Sequence, residues 1–135
     1  MSTEPKSPPL TLDGIEHVLL LVNGLDRTLA FYEGVLGAHV ESRLPKYAMV
    51  ELRVGASHLD VVDTSVPEGA WALPPVAGGR NVDHIGLRVK ADETVLRRHL
   101  AAHGVEIVEE RANEAPAGVS LYVCDPSGNV VELMT

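Results

Sequence analysis

The chain reads as an α+β protein made of two tandem βαβββ modules. Three observations lead there. A segment near the start recurs 67 residues later with its histidine in register. Each copy passes from period-two strand patterning to a helical run closed by glycine, then to three more strand-like runs. A stretch rich in proline and glycine separates the copies.

The repeat is direct. Sliding by 67 residues places Ile15-Glu16-His17-Val18-Leu19-Leu20-Leu21-Val22 on Val82-Asp83-His84-Ile85-Gly86-Leu87-Arg88-Val89. Without a gap, Leu29 then meets Leu96, Gly37 meets Gly104 and Val40 meets Ile107. At the ends of the copies, His58-Leu59-Asp60-Val61 matches Val130-Val131-Glu132-Leu133 once the slide becomes 72.

In the first copy, residues 15–22 are apolar and rich in β-branched and leucine side chains, which predicts a strand. Arg27 to Leu36 carries Leu29, Ala30, Phe31, Val35 and Leu36 at helical spacing, with Asp26 expected as N-cap and Gly37 as the terminating glycine. Strands are expected near 38–43, 47–54 and 58–63. The second copy predicts a strand over 82–89, a helix over about 92–103 ending at Gly104, and strands near 105–110, 119–124 and 129–134. Asp125-Pro126-Ser127-Gly128 is a turn between the last two. Module 1 thus spans about 13–63, a linker about 64–81 and module 2 about 82–135. Gly78-Gly79 reads as a hinge in that linker. Residues 1–12, with adjacent prolines and polar neighbours, are expected to be a flexible tail without the apolar stretch of a secretory signal.

Composition bounds the function. The chain has 135 residues and a formal net charge of -8. Such an acidic surface disfavours nucleic acid, and no basic run or long apolar stretch points to a membrane. Cys124 is the single cysteine, so no disulfide forms within the chain, which fits a cytoplasmic protein. It is expected to be an inert, half-buried thiol.

Alternation along strands then sorts the polar residues. Val18, Leu20 and Val22 share one face, which should lie under the helix of its own module, and His17 takes the other. Ile85, Leu87 and Val89 likewise oppose His84, Gly86 and Arg88. Asp60 and Glu132 point away from Leu59, Val61, Val131 and Leu133. If the two sheets curl together, His17, Asp60, His84 and Glu132 face one concavity from equivalent positions. Two imidazoles and two carboxylates suit Ni, Zn, Mn, Fe or Co.

These segments resemble the vicinal oxygen chelate superfamily, which includes glyoxalase I, extradiol dioxygenases and bleomycin-binding proteins. The resemblance rests on Ile15-Glu16-His17-Val18, Leu25-Asp26-Arg27-Thr28-Leu29-Ala30-Phe31-Tyr32 through Leu36-Gly37, Val82-Asp83-His84-Ile85, and Asp125-Pro126-Ser127-Gly128-Asn129-Val130-Val131-Glu132-Leu133. It covers about residues 13–134. It implies an open, cup-shaped mixed sheet with helices outside, holding one divalent metal through His17, His84, Glu132 and, near the end of the first module, Asp60. His58, one step along the same face, is the alternative to Asp60 as ligand, or a base.

By the same resemblance the activity is that of a glyoxalase-type lyase or isomerase acting on a small substrate with vicinal oxygens through an enediolate. Glu132 is the expected proton shuttle and Asp60 its partner. The alternatives are an Fe(II) extradiol-type dioxygenase and a non-catalytic small-molecule or antibiotic binder. Arg88 faces the pocket by alternation and is read either as holding an anionic substrate group or as reaching solvent. Tyr122 and Tyr47 line the cavity or pack, and Trp71 covers the mouth or joins the modules. His99 and His103, four apart on a helix without an accompanying glutamate, read as an exposed face. Open sheet edges need covering, so a homodimer is expected.

Overall fold

The computed structural model describes residues 15–72, 82, 84–113 and 118–135. The expected N-terminal tail, the Gly78-Gly79 hinge and Asp83 lie outside the described residues. Two four-stranded mixed sheets form, one per module. In module 1, β1 (His17–Val22) leads to a short α1 (Leu25–Leu29) that continues as a π-helix (Ala30–Val35), then to β2 (His39–Leu44), β3 (Met49–Val54) and β4 (Ser57–Asp63). In module 2, β5 (Ile85–Arg88) leads to α2 (Glu93–Ala102), β6 (Glu109–Asn113), β7 (Gly118–Cys124) and β8 (Val130–Met134). The strand orders are β1-β4-β3-β2 and β5-β8-β7-β6, the same topology twice. β1 runs parallel to β4 and β5 parallel to β8, while the other pairs are antiparallel.

The apolar faces behave as alternation requires. Leu20, Val22, Leu59 and Val61 from the first sheet share one buried core with Leu121, Val123, Val131 and Leu133 from the second, and with Leu29, Phe31, Tyr32, Leu96 and Leu100 from the helices. One core therefore spans both modules. Polar contacts tie the seam. The buried Tyr32 hydroxyl donates to Asp125 Oδ2 at 2.8 Å, Asn23 N donates to Ser127 Oγ at 2.9 Å, and Asn129 Nδ2 donates to the Leu21 carbonyl at 3.4 Å.

Several boundaries differ from the sequence-based expectation. The first helix starts at Leu25, its N-cap is Gly24, and Asp26 sits in the first turn without capping it. The Asp63 carboxylate at the end of β4, which accepts from Ser65 N at 2.9 Å, lies beside the start of the helix, where the Gly24 and Leu25 amides help to lower its pKa. Gly24 enters the helix at φ 87, a left-handed conformation that glycine adopts without a Cβ penalty. Asp92 does cap α2, accepting from Val95 N at 2.9 Å. Tyr47 ends a 3-10 turn over Pro45–Tyr47, and β3 starts at Met49. Pro45 fixes the turn's φ, and Ala48 in the left-handed region breaks any strand through it. Residues 105–108 run outside the ladder, so β6 begins at Glu109, while Val105 and Ile107 pack on the core.

Candidate metal centre

The face of each sheet turned away from the shared core carries the polar residues. In module 1, His17 lies opposite His58 in the β1–β4 register, and Asp60 lies opposite Glu51 in the β3–β4 register. His17 Nε2 is 3.9 Å from Asp60 Oδ2. In module 2, Glu132 is flanked by Gly86 and Tyr122. His84 Nε2 lies 3.0 Å from Glu132 Oε1, and the His84 ring meets Tyr122 edge-on at 5.5 Å. Arg111 stands 5.7 Å from the Tyr122 ring centroid.

Each module therefore presents one imidazole beside one carboxylate, at equivalent strand positions. The two pairs do not come together within one chain. Among the described residues, no group of three or more His, Cys, Asp or Glu side chains is placed to hold a metal ion. The turn before β8 meets the Leu21–Asn23 end of β1, whereas His17 opens that strand, about 13 Å away at roughly 3.3 Å per residue.

The electrostatics differ between the halves. Asp60 is 3% exposed, and its Oδ1 is buried without a hydrogen-bond partner. Burial pushes its pKa up, an effect opposed by the His17 charge and reinforced by Glu51 and Glu16. A buried carboxylate with a bare oxygen, next to an imidazole, has the chemistry of a metal ligand, so this donor set fits a divalent ion. His17 contacts the exposed Glu16 carboxylate through Nδ1, and this hydrogen bond raises the imidazole pKa. Nδ1 is thereby engaged and Nε2 is left facing Asp60, the orientation a second partner gives a ligating histidine. In module 2, burial and the neighbouring Glu132 raise the Tyr122 pKa.

The candidate substrate residues divide. His58 and Arg88 line the same cavity of about 520 Å³ along the seam, with Ser57 and Gly55 from module 1 and Gly86 from module 2. Tyr122 lies instead against His84 and Glu132. His58 is held between Glu41, which it contacts through Nε2, and Glu16 Oε1, 3.4 Å from its Nδ1. Tyr47 and Trp71 form an exposed edge-on pair at 6.4 Å, with Trp71 Nε1 donating to the Tyr47 carbonyl. Trp71 thus packs on module 1. Cys124 is exposed, because it closes β7 on the outer side of the Asp125 turn. His99 is exposed as expected, but its Nε2 lies 2.7 Å from the Val35 carbonyl and its ring leans on His103.

Sequence reasoning passed over Glu51, Glu41 and Glu16, which surround His17, His58 and Asp60. Glu51 was accessible from alternation, since it pairs with Asp60. Glu41 was not, because it faces His58 only through the irregularity between Val40 and Ser42 in the β2–β3 ladder.

Residues 14–133 match the model of the Glyoxalase/Bleomycin resistance protein/Dioxygenase superfamily. The chain belongs to that superfamily. Superfamily relatives include the virulence protein STM3117 of Salmonella typhimurium strain LT2, 29% identical over 132 residues, covering 95% of this chain and 88% of that protein. The fold also superposes on FosX, a fosfomycin resistance protein from Listeria monocytogenes (TM-score 0.71, 20% identity, 92% of this chain and 93% of that one). A lactoylglutathione lyase from Agrobacterium tumefaciens gives a TM-score of 0.69 at 21% identity, covering 92% and 94%. At these identities the two structures speak for the fold alone.

Proposed function

We propose that this superfamily member is a divalent-metal-dependent lyase or isomerase of glyoxalase type, and that its metal site is completed between two copies of the chain. The observation that carries the reading is Asp60, buried with one oxygen unpartnered beside His17, and mirrored at the equivalent position by Glu132 beside His84. Two half-sites that stay apart in one chain make a four-ligand site when module 1 of one copy faces module 2 of another, as an isologous dimer allows. His17, Asp60, His84 and Glu132 would hold Ni, Zn, Mn, Fe or Co. The bound ion supplies Lewis acidity toward a small substrate with two neighbouring oxygens.

The remaining roles fall to the chain itself. Glu132, touching His84 and next to Tyr122, is placed to carry a proton between adjacent carbons. In this reading Arg88 and His58, which line one cavity, orient the rest of the substrate.

The test is to reconstitute the protein with each metal and follow solvent-deuterium exchange into α-keto aldehydes, with and without an added thiol. Metal-dependent exchange that Glu132→Gln abolishes while the metal is retained supports the reading. Full turnover by Glu132→Gln removes Glu132 from the chemistry. Oxygen consumption on catechols with iron alone would favour a dioxygenase. The separation of the pairs within one chain favours, as a second reading, a small-molecule binder without turnover, and failure to take up any metal would leave that account standing.

A further inference from the structure

A second cavity adjoins the one lined by His58 and Arg88, sharing Val54, Gly55, Leu87 and Arg88 with it, and extends toward the helices. It measures about 340 Å³, within the range of roughly 300–1,000 Å³ common for small-molecule sites. Its walls come from the end of the first helix (Val35, Leu36), the β3–β4 turn (Val54), the end of β5 (Leu87, Val89) and α2 (Val95, Leu96). The first-helix wall is the π-helical stretch, a rare geometry that recurs at functional sites.

The charge pattern of the lining is unlike the rest of the chain. The protein has 19 Asp and Glu against 11 Lys and Arg, yet no carboxylate side chain lines this cavity, whereas Arg88, Lys90 and His99 do. Neither Arg88 nor Lys90 makes an ion pair among the described residues. On the same helix as His99, Arg97 by contrast is paired with Glu93 and Glu110. His99 is held by the Val35 carbonyl, which fixes its ring at the wall. A largely apolar chamber lined by two cations that make no ion pair is complementary to a molecule with an apolar body and one anionic end.

We infer that this cavity is a binding site for an amphipathic organic anion such as a medium-chain carboxylate, separate from the metal half-sites. The carboxylate lies between Arg88 and Lys90, and the chain enters between Leu36, Val54 and Leu96. The apolar body gains from leaving water, and the cations set which end faces out. The inference shares Arg88 with the substrate cavity of the glyoxalase-type reading but not its metal ligands, because none of the four metal candidates lines this cavity.

Octanoate is the probe, octanamide its uncharged control, and calorimetric titration of the full chain the measurement. Octanoate is expected to saturate at one per chain, and octanamide to bind at least about tenfold more weakly. Lys90→Glu and the cavity-filling Ala91→Phe should each weaken octanoate about tenfold or more, with unfolding midpoints checked to show that both variants fold. The His17→Ala/Glu132→Ala double variant should bind octanoate as the wild type does, even though it has lost the metal half-sites. Absence of saturable binding, equal affinity for octanamide, indifference to Lys90→Glu, or loss of binding in the double variant would each overturn the inference.

Discussion

Replacing Asp60 with asparagine separates what the residue does for the fold from what it does for a ligand. Asp60 is almost fully buried, its Oδ1 has no partner, and its Oδ2 sees only a His17 nitrogen at 3.9 Å. A buried polar group left unsatisfied costs about 1–3 kcal/mol, and more when charged. Asparagine keeps the shape, removes the charge and can donate toward Glu51, its register neighbour, whose carboxylate now repels it. The attraction to His17 is lost, but His17 is half exposed and that term is small. The net gain for metal-free protein is about 1–2 kcal/mol, which for a domain of this size raises the unfolding midpoint by about 4–8 °C.

The sign with pH follows from the raised pKa. Between the ordinary aspartate value of 3.8 and the higher folded value, the native state holds more protons than the unfolded one, so wild-type stability falls as pH rises through that window. The advantage of Asp60→Asn should therefore be full at neutral pH and fade as pH drops toward about 4, where the wild type protonates. The assay is thermal unfolding in chelator across pH, repeated with added divalent metal. Metal should stabilise the wild type and leave Asp60→Asn unmoved, since only binding to the native state raises the midpoint. A variant less stable than wild type in chelator at pH 7, or one that metal stabilises equally, would refute the reasoning.

Other outcomes follow from the same geometry. Protons should compete with metal at His17 up to a pH above its ordinary value of 6.5, because the Glu16 hydrogen bond raises its pKa; metal affinity should rise with pH through that window, and Glu16→Gln should move the midpoint down in a metal titration series. Tyr32→Phe removes the buried hydroxyl that reaches Asp125 across the seam, and should cost about 1–2 kcal/mol in denaturant unfolding; the loss is limited because Asn129 still donates to Asp125 Oδ2 at 2.9 Å. Gly69→Ala should destabilise strongly, since a Cβ there would sit 1.7 Å from the Asp63 carbonyl oxygen and force the backbone apart.

Much of the fold was legible because it is written twice. The His17/His84 and Gly37/Gly104 matches define the module order, and alternation assigns Leu20, Leu59, Val131 and Leu133 to the core, where they lie. The misses share a physical cause, which is dependence on distant partners. The first helix begins beside the Asp63 carboxylate, and no local pattern at Asp26 encodes that. Tyr32 is not among the apolar helix positions that the spacing picks out, yet it is buried and is the cross-module donor to Asp125. For the candidate site, alternation gave the face of each ligand but not the seam. Which end of β1 meets module 2 depends on Asn23 and Asn129 reaching across more than 100 residues.

The most direct test of a metal site shared between two chains is complementation. One variant carries His17→Ala and Asp60→Ala, the other His84→Ala and Glu132→Ala, and each is expected to bind no metal alone. Unfolded together and refolded with metal, random pairing makes half the dimers mixed, each with one intact site, so metal content should return to about a quarter of the wild-type level. A mixture that remains metal-free while the wild type binds one ion per chain would contradict the shared site.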